Sequence, residues 1–115
     1  IDNNGLKFYF GPIILNPNGI RDGDIVPAVF KLNQNFPNPF NPSTKISFSL
    51  ATTGYTTLKV YSVLGNEVAT LFDGDAVLGK LYVINYDAKN LASGLYFYKL
   101  QCESKTEIKK FVIVK

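Results

Sequence analysis

The chain has 115 residues, of which 46% are hydrophobic and 18% charged, a composition typical of one globular domain rather than of a disordered segment. The formal net charge is +3, but the twelve basic residues are spread along the chain, which argues against a nucleic-acid interface. Histidine is absent and cysteine occurs once, which argues against His-based catalysis, the usual zinc sites and an intramolecular disulfide, so we expect neither an enzyme nor a cofactor.

The chain begins at Ile1 and contains no Met, so we expect it to be a processed piece of a longer protein. No signal peptide is recognisable at this N-terminus, and no apolar run approaches the ~20 residues of a transmembrane helix. Residues 6–10, LKFYF, are predicted to form a strand, and residues 25–32, IVPAVFKL, an extended segment interrupted by Pro27. We assign residues 1–29 to an N-terminal segment, either extra strands or the tail of a preceding domain.

The sequence NPNGIRDGD, residues 16–24, has the composition of a turn. Its side chains offer oxygen ligands of the kind that calcium prefers, with Asn18, Asp22 and Asp24 as weak candidates for a metal site. The spacing does not match that of an EF-hand loop, and no Glu closes the segment. A solvated turn is therefore the favoured interpretation.

Residues 36–42, FPNPFNP, form a segment that we call the proline strip. It contains three prolines: Pro37, Pro39 and Pro42. Each proline fixes its own φ near −65° and directs the preceding residue towards extended geometry, so the strip should be stiff. We expect Phe36 and Phe40 to anchor it by burying their rings, and Asn38 and Asn41 to bond neighbouring backbone groups. The strip would then set where the first sandwich strand begins, although a stiff proline segment can also be a recognition ligand.

Beyond the strip, the dominant sequence period is two, as expected of strands. Six segments are predicted to be strands: TKISFSL (44–50), TTLKVYS (56–62), EVATLF (67–72), KLYVINYD (80–87), GLYFYKLQC (94–102) and IKKFVIV (108–114). Turn signals separate them, including DGD at 73–75, and one short helical turn is considered at residues 90–93. The last strand is apolar on both faces near its end, so its inward face stays open. The pattern predicts an all-β sandwich.

One stripe of tyrosines has the parity of the core: Tyr82, Tyr86, Tyr96 and Tyr98. Such a stripe could stack on sugars, but its parity favours the core, with the hydroxyls at the rim. Three tyrosines that we assign to separate strands are better candidates for exposure: Tyr9, Tyr55 and Tyr61. Cys102 shares the parity of Leu100 and is predicted to be a small buried residue rather than a reactive thiol.

Several motifs in this order resemble the type A C-terminal sorting domain of the type IX secretion system: LNQNFPNPFNPSTKISFSL, LKVYSVLGNEVATL, YDAKNLASGLYFYKL and KKFVIVK. The resemblance covers residues 30–115. It implies these sorting-motif residues: Pro37, Asn38, Pro39, Phe40, Asn41, Pro42, Gly65, Gly94, Tyr96, Lys109, Lys110 and Lys115. Ser62 stands where members often have an acidic residue and Asn66 where they often have Arg, so that charge pair is absent here.

The resemblance implies an Ig-like antiparallel β-sandwich of about seven strands over residues 30–115, preceded by the extra N-terminal extended segment. Such domains are non-catalytic and direct a secreted protein through the periplasm and an outer-membrane translocon to the cell surface. A sortase-like protease then commonly removes the domain and attaches the protein to an anionic surface lipopolysaccharide. The implied partners are therefore the translocon, its shuttle proteins and the sortase.

Two alternatives remain open. One is a structural subunit of an extracellular filament or surface assembly, in which residues 6–10 would self-associate by adding a strand to the open sheet edge of a neighbour. The other is a carbohydrate-binding module on an extracellular hydrolase. Fold alone does not distinguish these functions, because one sandwich architecture carries many of them.

Overall fold

The computed structural model describes residues 21–115, and these residues form seven strands and no helix. In chain order the strands are β1 (Lys31–Leu32), β2 (Ser43–Ser49), β3 (Gly54–Ser62), β4 (Glu67–Ala76), β5 (Tyr82–Asp87), β6 (Gly94–Cys102) and β7 (Lys105–Ile113). The predicted all-β fold class is thereby confirmed. Between residues 21 and 115 there is accordingly no helix that could span a membrane. The predicted strand at residues 6–10 lies outside the described residues.

The strands pair antiparallel in two sheets. The first sheet has the order β1-β2-β5 and the second the order β4-β3-β6-β7. The register places Ile46 opposite Ile84 in the first sheet and Leu58 opposite Leu100 in the second. The chain passes from one sheet to the other between β2 and β3, between β4 and β5, and between β5 and β6, which is the connectivity expected of an Ig-like sandwich.

Two local predictions were wrong. The sequence DGD, residues 73–75, was predicted to be a turn but belongs to β4, which pairs with β3 as far as Gly54 opposite Ala76. Backbone pairing along a long partner strand outweighs the weak turn preference of Asp and Gly. Residues 90–93 contain no helical turn; a tight turn precedes β6, in which the Leu91 N–H donates to the Ala88 carbonyl at 2.9 Å.

The core lies between the sheets and is built from alternate residues, as the sequence period predicts. Leu58 of β3, Leu100 of β6 and Phe48 of β2 are fully buried, and burying one such side chain stabilises the fold by roughly 1.5–3 kcal/mol. In β7 the inward residues are Phe111 and its neighbours of the same parity, whereas Ile108 is 57% exposed. The structure thus identifies the inward face that the sequence left open.

The tyrosine stripe also packs inward, as predicted. Tyr98 is fully buried, and the other three members pack partly buried against the core: Tyr82, Tyr86 and Tyr96. Cys102 is buried and free, which agrees with its predicted place. The stripe therefore belongs to the core, as its parity predicted.

Two serines of β2 that alternate away from the core are nevertheless buried, namely Ser47 and Ser49. The chain that leads into and out of β1 covers them. The Ser49 hydroxyl donates to the Val29 carbonyl at 2.8 Å, and the Asn33 side-chain amide donates to the Ser47 hydroxyl at 2.9 Å. The outer face of β2 is thus shielded by the preceding segment.

The first described residues run beside the chain that enters β5. The Gly23 N–H donates to the Leu81 carbonyl at 2.7 Å, and the Leu81 N–H donates to the Asp24 carbonyl at 2.8 Å. The Asp22 carboxylate accepts a hydrogen bond from the Val83 N–H at 3.0 Å. The described part of the N-terminal segment is therefore hydrogen-bonded to the first sheet.

Tyr98 connects the second sheet to the segment that follows β1. Its hydroxyl donates to the Asn33 carbonyl at 2.9 Å and accepts from the Asn35 N–H at 2.9 Å. Burial raises the pKa of Tyr98, an effect that the Asn35 N–H partly offsets. The phenol satisfies two backbone groups that have no strand partner of their own, so it fixes the path of the chain before the proline strip.

Asn35 extends this connection into the strip. Its side-chain nitrogen donates to the Pro37 carbonyl at 3.0 Å and lies 3.0 Å from the Thr44 hydroxyl oxygen. The Thr44 hydroxyl donates to the same carbonyl at 2.8 Å, and the Gln34 amide donates to the Asn35 side-chain oxygen at 2.6 Å. Asn35 is only 3% exposed, so this network is buried and its members hold one another in place.

We predict that the contribution of Tyr98 to stability is lost in alkali. The unfolded state releases the phenol proton near pH 10, while the folded state retains it because its pKa is raised, so the free energy of unfolding falls above about pH 10. Tyr98→Phe should cost about 1–3 kcal/mol at pH 7, because two buried backbone groups lose their partner. The difference in the free energy of unfolding between the wild type and the variant should be smaller by about 1 kcal/mol at pH 11 than at pH 7. Urea unfolding of both proteins at each pH measures this difference. A difference in the free energy of unfolding that does not change with pH would contradict the prediction.

We also predict that Asn35→Ala destabilises the domain by about 1–3 kcal/mol, because it leaves buried polar groups of the network unpaired. Asn41→Ala is the matched control, since Asn41 lies in the proline strip but is exposed and should change stability by less than about 0.5 kcal/mol. Urea midpoints of the two variants provide the comparison. Equal midpoints would show that the network does not stabilise the fold.

Candidate functional site

The proline strip crosses from one sheet to the other. At its start, Phe36 exchanges two backbone hydrogen bonds with Lys45 of β2, at 3.0 and 2.9 Å. Further along, the Phe40 N–H donates to the Val112 carbonyl of β7 at 3.1 Å, and the Phe40 carbonyl accepts from the Val114 N–H at 3.0 Å. The strip thus closes one end of the sandwich by joining β2 to the edge of the second sheet.

Only one of the two phenylalanines anchors the strip. Phe40 is 3% exposed, and its ring meets that of Phe111 edge to face with centroids 4.9 Å apart. Phe111 is also close to two rings of the tyrosine stripe, with centroids 5.6 Å from Tyr98 and 5.8 Å from Tyr96. Phe36 is 52% exposed, so the prediction that its ring would be buried was wrong. The backbone pairing of Phe36 with β2 turns its side chain out of the core.

The polar and proline residues of the strip face solvent. The three prolines are exposed, and the peptide bonds that precede them are cis: Pro37, Pro39 and Pro42. Asn38 accepts a hydrogen bond from the Val112 N–H at 3.0 Å, so it bonds β7 rather than a neighbouring group as predicted. Asn41 is exposed. The strip therefore presents a fixed, proline-rich outer surface.

The turn between β3 and β4 lies at the same end of the sandwich, because Ser62 of β3 is opposite Tyr96 near the start of β6. Gly65 adopts a φ of 91°, which a side chain would strain, and its N–H donates to the Ser62 carbonyl at 2.9 Å. The turn presents Leu64 to solvent with 85% of its side chain exposed. An apolar side chain is thus displayed at a defined hairpin tip.

The start of β6 and the chain terminus meet at this end as well. Gly94 has a φ of 150° and is opposite Ile113, the last residue of β7. The Tyr96 hydroxyl donates to the Ala92 carbonyl at 2.8 Å. The Lys115 ammonium donates to the Lys89 carbonyl at 2.7 Å. These bonds hold the terminal lysine against the loop that precedes β6.

We call this end, where β2 and β6 begin and β5 and β7 end, the motif end. It brings together most of the residues implied by the resemblance: Pro37, Asn38, Pro39, Phe40, Asn41, Pro42, Gly65, Gly94, Tyr96 and Lys115. Lys109 and Lys110 lie apart from the motif end, in the middle of β7, where they are opposite Tyr98 and Phe97 of β6. The lysines near the terminus therefore do not form one basic cluster.

Lys109 and Lys110 occupy different faces of the edge strand. Lys109 has the inward parity of Phe111, and its ammonium lies 3.8 Å from the Glu107 carboxylate. That carboxylate also accepts the Leu32 N–H at 2.8 Å. The Lys110 side chain is exposed, and its carbonyl accepts the Gln34 amide at 2.8 Å. Charged groups beside an edge strand discourage pairing with other chains.

A groove of about 360 Å³ borders the proline strip on the outer face of the first sheet. It is lined by Phe36 and Pro37 of the strip, by residues 43–45 of β2 and by residues 85–87 of β5. The exposed ring of Phe36 thus forms one wall of a groove that runs beside β5. This groove extends the surface of the motif end along the first sheet.

Two of the three weak metal candidates, Asp22 and Asp24, lie among the described residues. The Asp24 carboxylate accepts the Arg21 N–H at 3.0 Å, and the Asp22 carboxylate accepts the Val83 N–H, so both act as hydrogen-bond acceptors for the turn. Asn18 lies outside the described residues. Residues 21–115 contain no group of three His, Cys, Asp or Glu side chains placed to hold a metal ion.

Sequence reasoning missed the buried residues that hold the strip, namely Asn35 and Thr44. A signal was present for Thr44, which shares the inward parity of Ile46 and Phe48 although it is polar. A polar residue at an inward position must find a partner, and here the partners are Asn35 and the Pro37 carbonyl. For Asn35 no comparable signal exists, because it lies in an irregular segment without a period.

A scan against protein families matches residues 34–114 to the family described as "Secretion system C-terminal sorting domain". No curated protein and no solved structure matches the chain. The matched residues extend from the segment held by Tyr98 to the end of β7 and include every residue of the motif end except Lys115. The chain therefore belongs to the type IX secretion system C-terminal sorting domain family, whose members mark proteins for export to the cell surface or the extracellular space.

Proposed function

We propose that this domain directs the protein that carries it through the type IX outer-membrane translocon, and that the motif end is the surface that the secretion machinery contacts. The observation that carries the proposal is spatial. Three segments that are far apart in the sequence lie at one end of the sandwich: the proline strip, the turn at Gly65 and the chain terminus. Translocon, shuttle and sortase proteins are the proposed partners.

The proposed mechanism is recognition of a rigid folded shape, without catalysis. The strip is fixed by backbone bonds to both sheets, by Phe40 in the core and by the buried amide of Asn35. A surface that is already ordered loses little conformational entropy when a partner binds, so a small contact area can suffice. The exposed prolines and Leu64 supply the apolar part of that surface.

A reporter fusion tests the proposed function. A periplasmically exported reporter followed by residues 21–115 is expressed in a bacterium that has this secretion system. We expect the reporter at the cell surface or in the medium, and in the periplasm of a strain whose translocon gene is deleted. Retention of the reporter in the periplasm of the intact strain, with the domain folded, would overturn the proposal.

A pair of exposed apolar residues tests the proposed surface. Leu64→Asp at the motif end should reduce export of the same fusion at least about tenfold, since a charge replaces an apolar contact in a partner interface. Ile25→Asp is the matched control, because Ile25 is 89% exposed and pairs with Lys80 at the opposite end.

Both variants should keep wild-type urea midpoints, because exposed substitutions rarely change stability by more than about 0.5 kcal/mol. Quantitative immunoblots of surface and periplasmic fractions give the export ratio. Equal export of the two variants would show that the turn at Gly65 is not part of the recognised surface, whatever the result of the parent fusion.

A further inference from the structure

A second groove, of about 510 Å³, lies on the outer face of the second sheet. Its lining residues come from two paired strands and the turn after them: Tyr55, Thr57, Lys59, Gln101 and Glu103. Thr57 is directly opposite Gln101, and Gly54 at the start of β3 is opposite Ala76 at the end of β4. The groove is therefore at the end of the sandwich opposite the motif end, and we call it the Tyr55 groove.

The hydroxyl of Tyr55 is bonded to a carboxylate of the neighbouring strand. Tyr55 is opposite Asp75, yet its hydroxyl donates to the carboxylate of Asp73, two residues earlier in β4. Such diagonal positions are about 7–8 Å apart, so the phenol must lie across the strands rather than stand up from them. The hydrogen bond to the Asp73 carboxylate raises the pKa of Tyr55. With 57% of the residue exposed, Tyr55 is open to solvent.

This sheet face also corrects the assignment of Tyr55 and Tyr61 to separate strands. Both lie on β3, and the inward residues between them, Thr56, Leu58 and Val60, are fully buried, so the two tyrosines share the outer face. The ring of Tyr61 differs from that of Tyr55 because the Lys99 ammonium lies over it, 5.2 Å from the centroid. Tyr55 is therefore the more exposed of the two tyrosines, and Tyr61 is the one that Lys99 covers.

Polar groups of several kinds surround the open ring. Thr57 offers a hydroxyl, Gln101 an amide and Glu103 a carboxylate, so the groove carries both donors and acceptors. Glu103 has a φ of 56°, a conformation that is costly for a residue of its type and that Gly or Asn would adopt more easily. Its carboxylate lies where a side chain at Gly54 would be, since a Cβ there would come within 2.7 Å of it. The two-residue turn between Cys102 and Lys105 requires this positive φ at its first residue, and it leaves the Glu103 carboxylate at the groove.

The charge around the groove disfavours an anionic ligand. Lys59 is already paired with Glu67, with 3.4 Å between ammonium and carboxylate. The carboxylates of Asp73, Asp75 and Glu103 would repel an anionic ligand. An acidic polysaccharide or a phosphorylated molecule is therefore disfavoured at this site.

We infer that the Tyr55 groove binds a neutral polysaccharide, with one sugar ring stacked on Tyr55 and its hydroxyl groups bonded by Gln101, Thr57 and Glu103. The C–H face of a sugar ring is apolar and slightly positive, and it complements the negative face of an aromatic ring. The alternating hydroxyls of the same sugar need donors and acceptors at the rim, which these side chains provide. The volume is in the range of small-molecule sites.

Affinity electrophoresis of the complete 115-residue chain tests the inference. Native gels contain no polymer, a neutral β-glucan, a neutral xylan, a neutral mannan or polygalacturonate. We expect retardation by at least one neutral polymer and none by polygalacturonate. Tyr55→Ala should weaken the retarded interaction about tenfold or more, which is the loss expected when a central aromatic contact is removed.

Tyr61→Ala is the matched control, because Tyr61 lies on the same strand and face but its ring is covered by Lys99. This variant should leave the affinity for the polymer within about twofold of the wild-type value, far below the tenfold loss expected for a central contact. Absence of retardation in all three neutral gels would overturn the inference. Stronger retardation by polygalacturonate, or equal losses in the two variants, would overturn it as well. Export of the reporter fusion does not enter this test, so its outcome is independent of the sorting function.

Discussion

The hydroxyl of Tyr98 is the point on which the arrangement of the motif end depends. It belongs to the second sheet, and it binds the Asn33 carbonyl and the Asn35 N–H in the segment that leads to the proline strip. Without that hydroxyl, two backbone groups would be buried with no partner, a situation that folded proteins rarely tolerate. The phenol therefore selects one path for the chain among those that the prolines alone would permit.

The fixed path of the strip also protects the second sheet. β7 is an edge strand, and an unpaired edge invites association with other chains. Asn38 and Phe40 bind the backbone of Val112 and Val114, and Gln34 binds the carbonyl of Lys110. The same residues that shape the proposed recognition surface thus cover backbone groups of an edge strand, and stability and recognition are coupled at this end of the molecule.

The sequence period was sufficient to predict the main strands, because burial of one face imposes alternation on each strand. It placed Leu58, Leu100 and Tyr98 in the core, as the structure shows. It failed where partners come from distant parts of the chain. Phe36 is exposed because its backbone pairs with Lys45, and the buried Asn35 depends on partners from the strip and from β2. Such contacts produce no periodic pattern in the sequence, so only the folded structure reveals them.

The other error was the turn predicted from the composition of residues 73–75. The strand that is found there instead helps to explain the groove on the second sheet. Residues 73–75 were predicted to end a strand, but pairing with β3 carries β4 through them and brings Asp73 and Asp75 onto the outer face beside Tyr55. Had the strand ended at residue 72, no carboxylate would hold the Tyr55 ring across the sheet. The long β4 therefore creates a chemically distinct surface at the end of the sandwich opposite the motif end. The two surfaces share no residue, and the same packed core supports both.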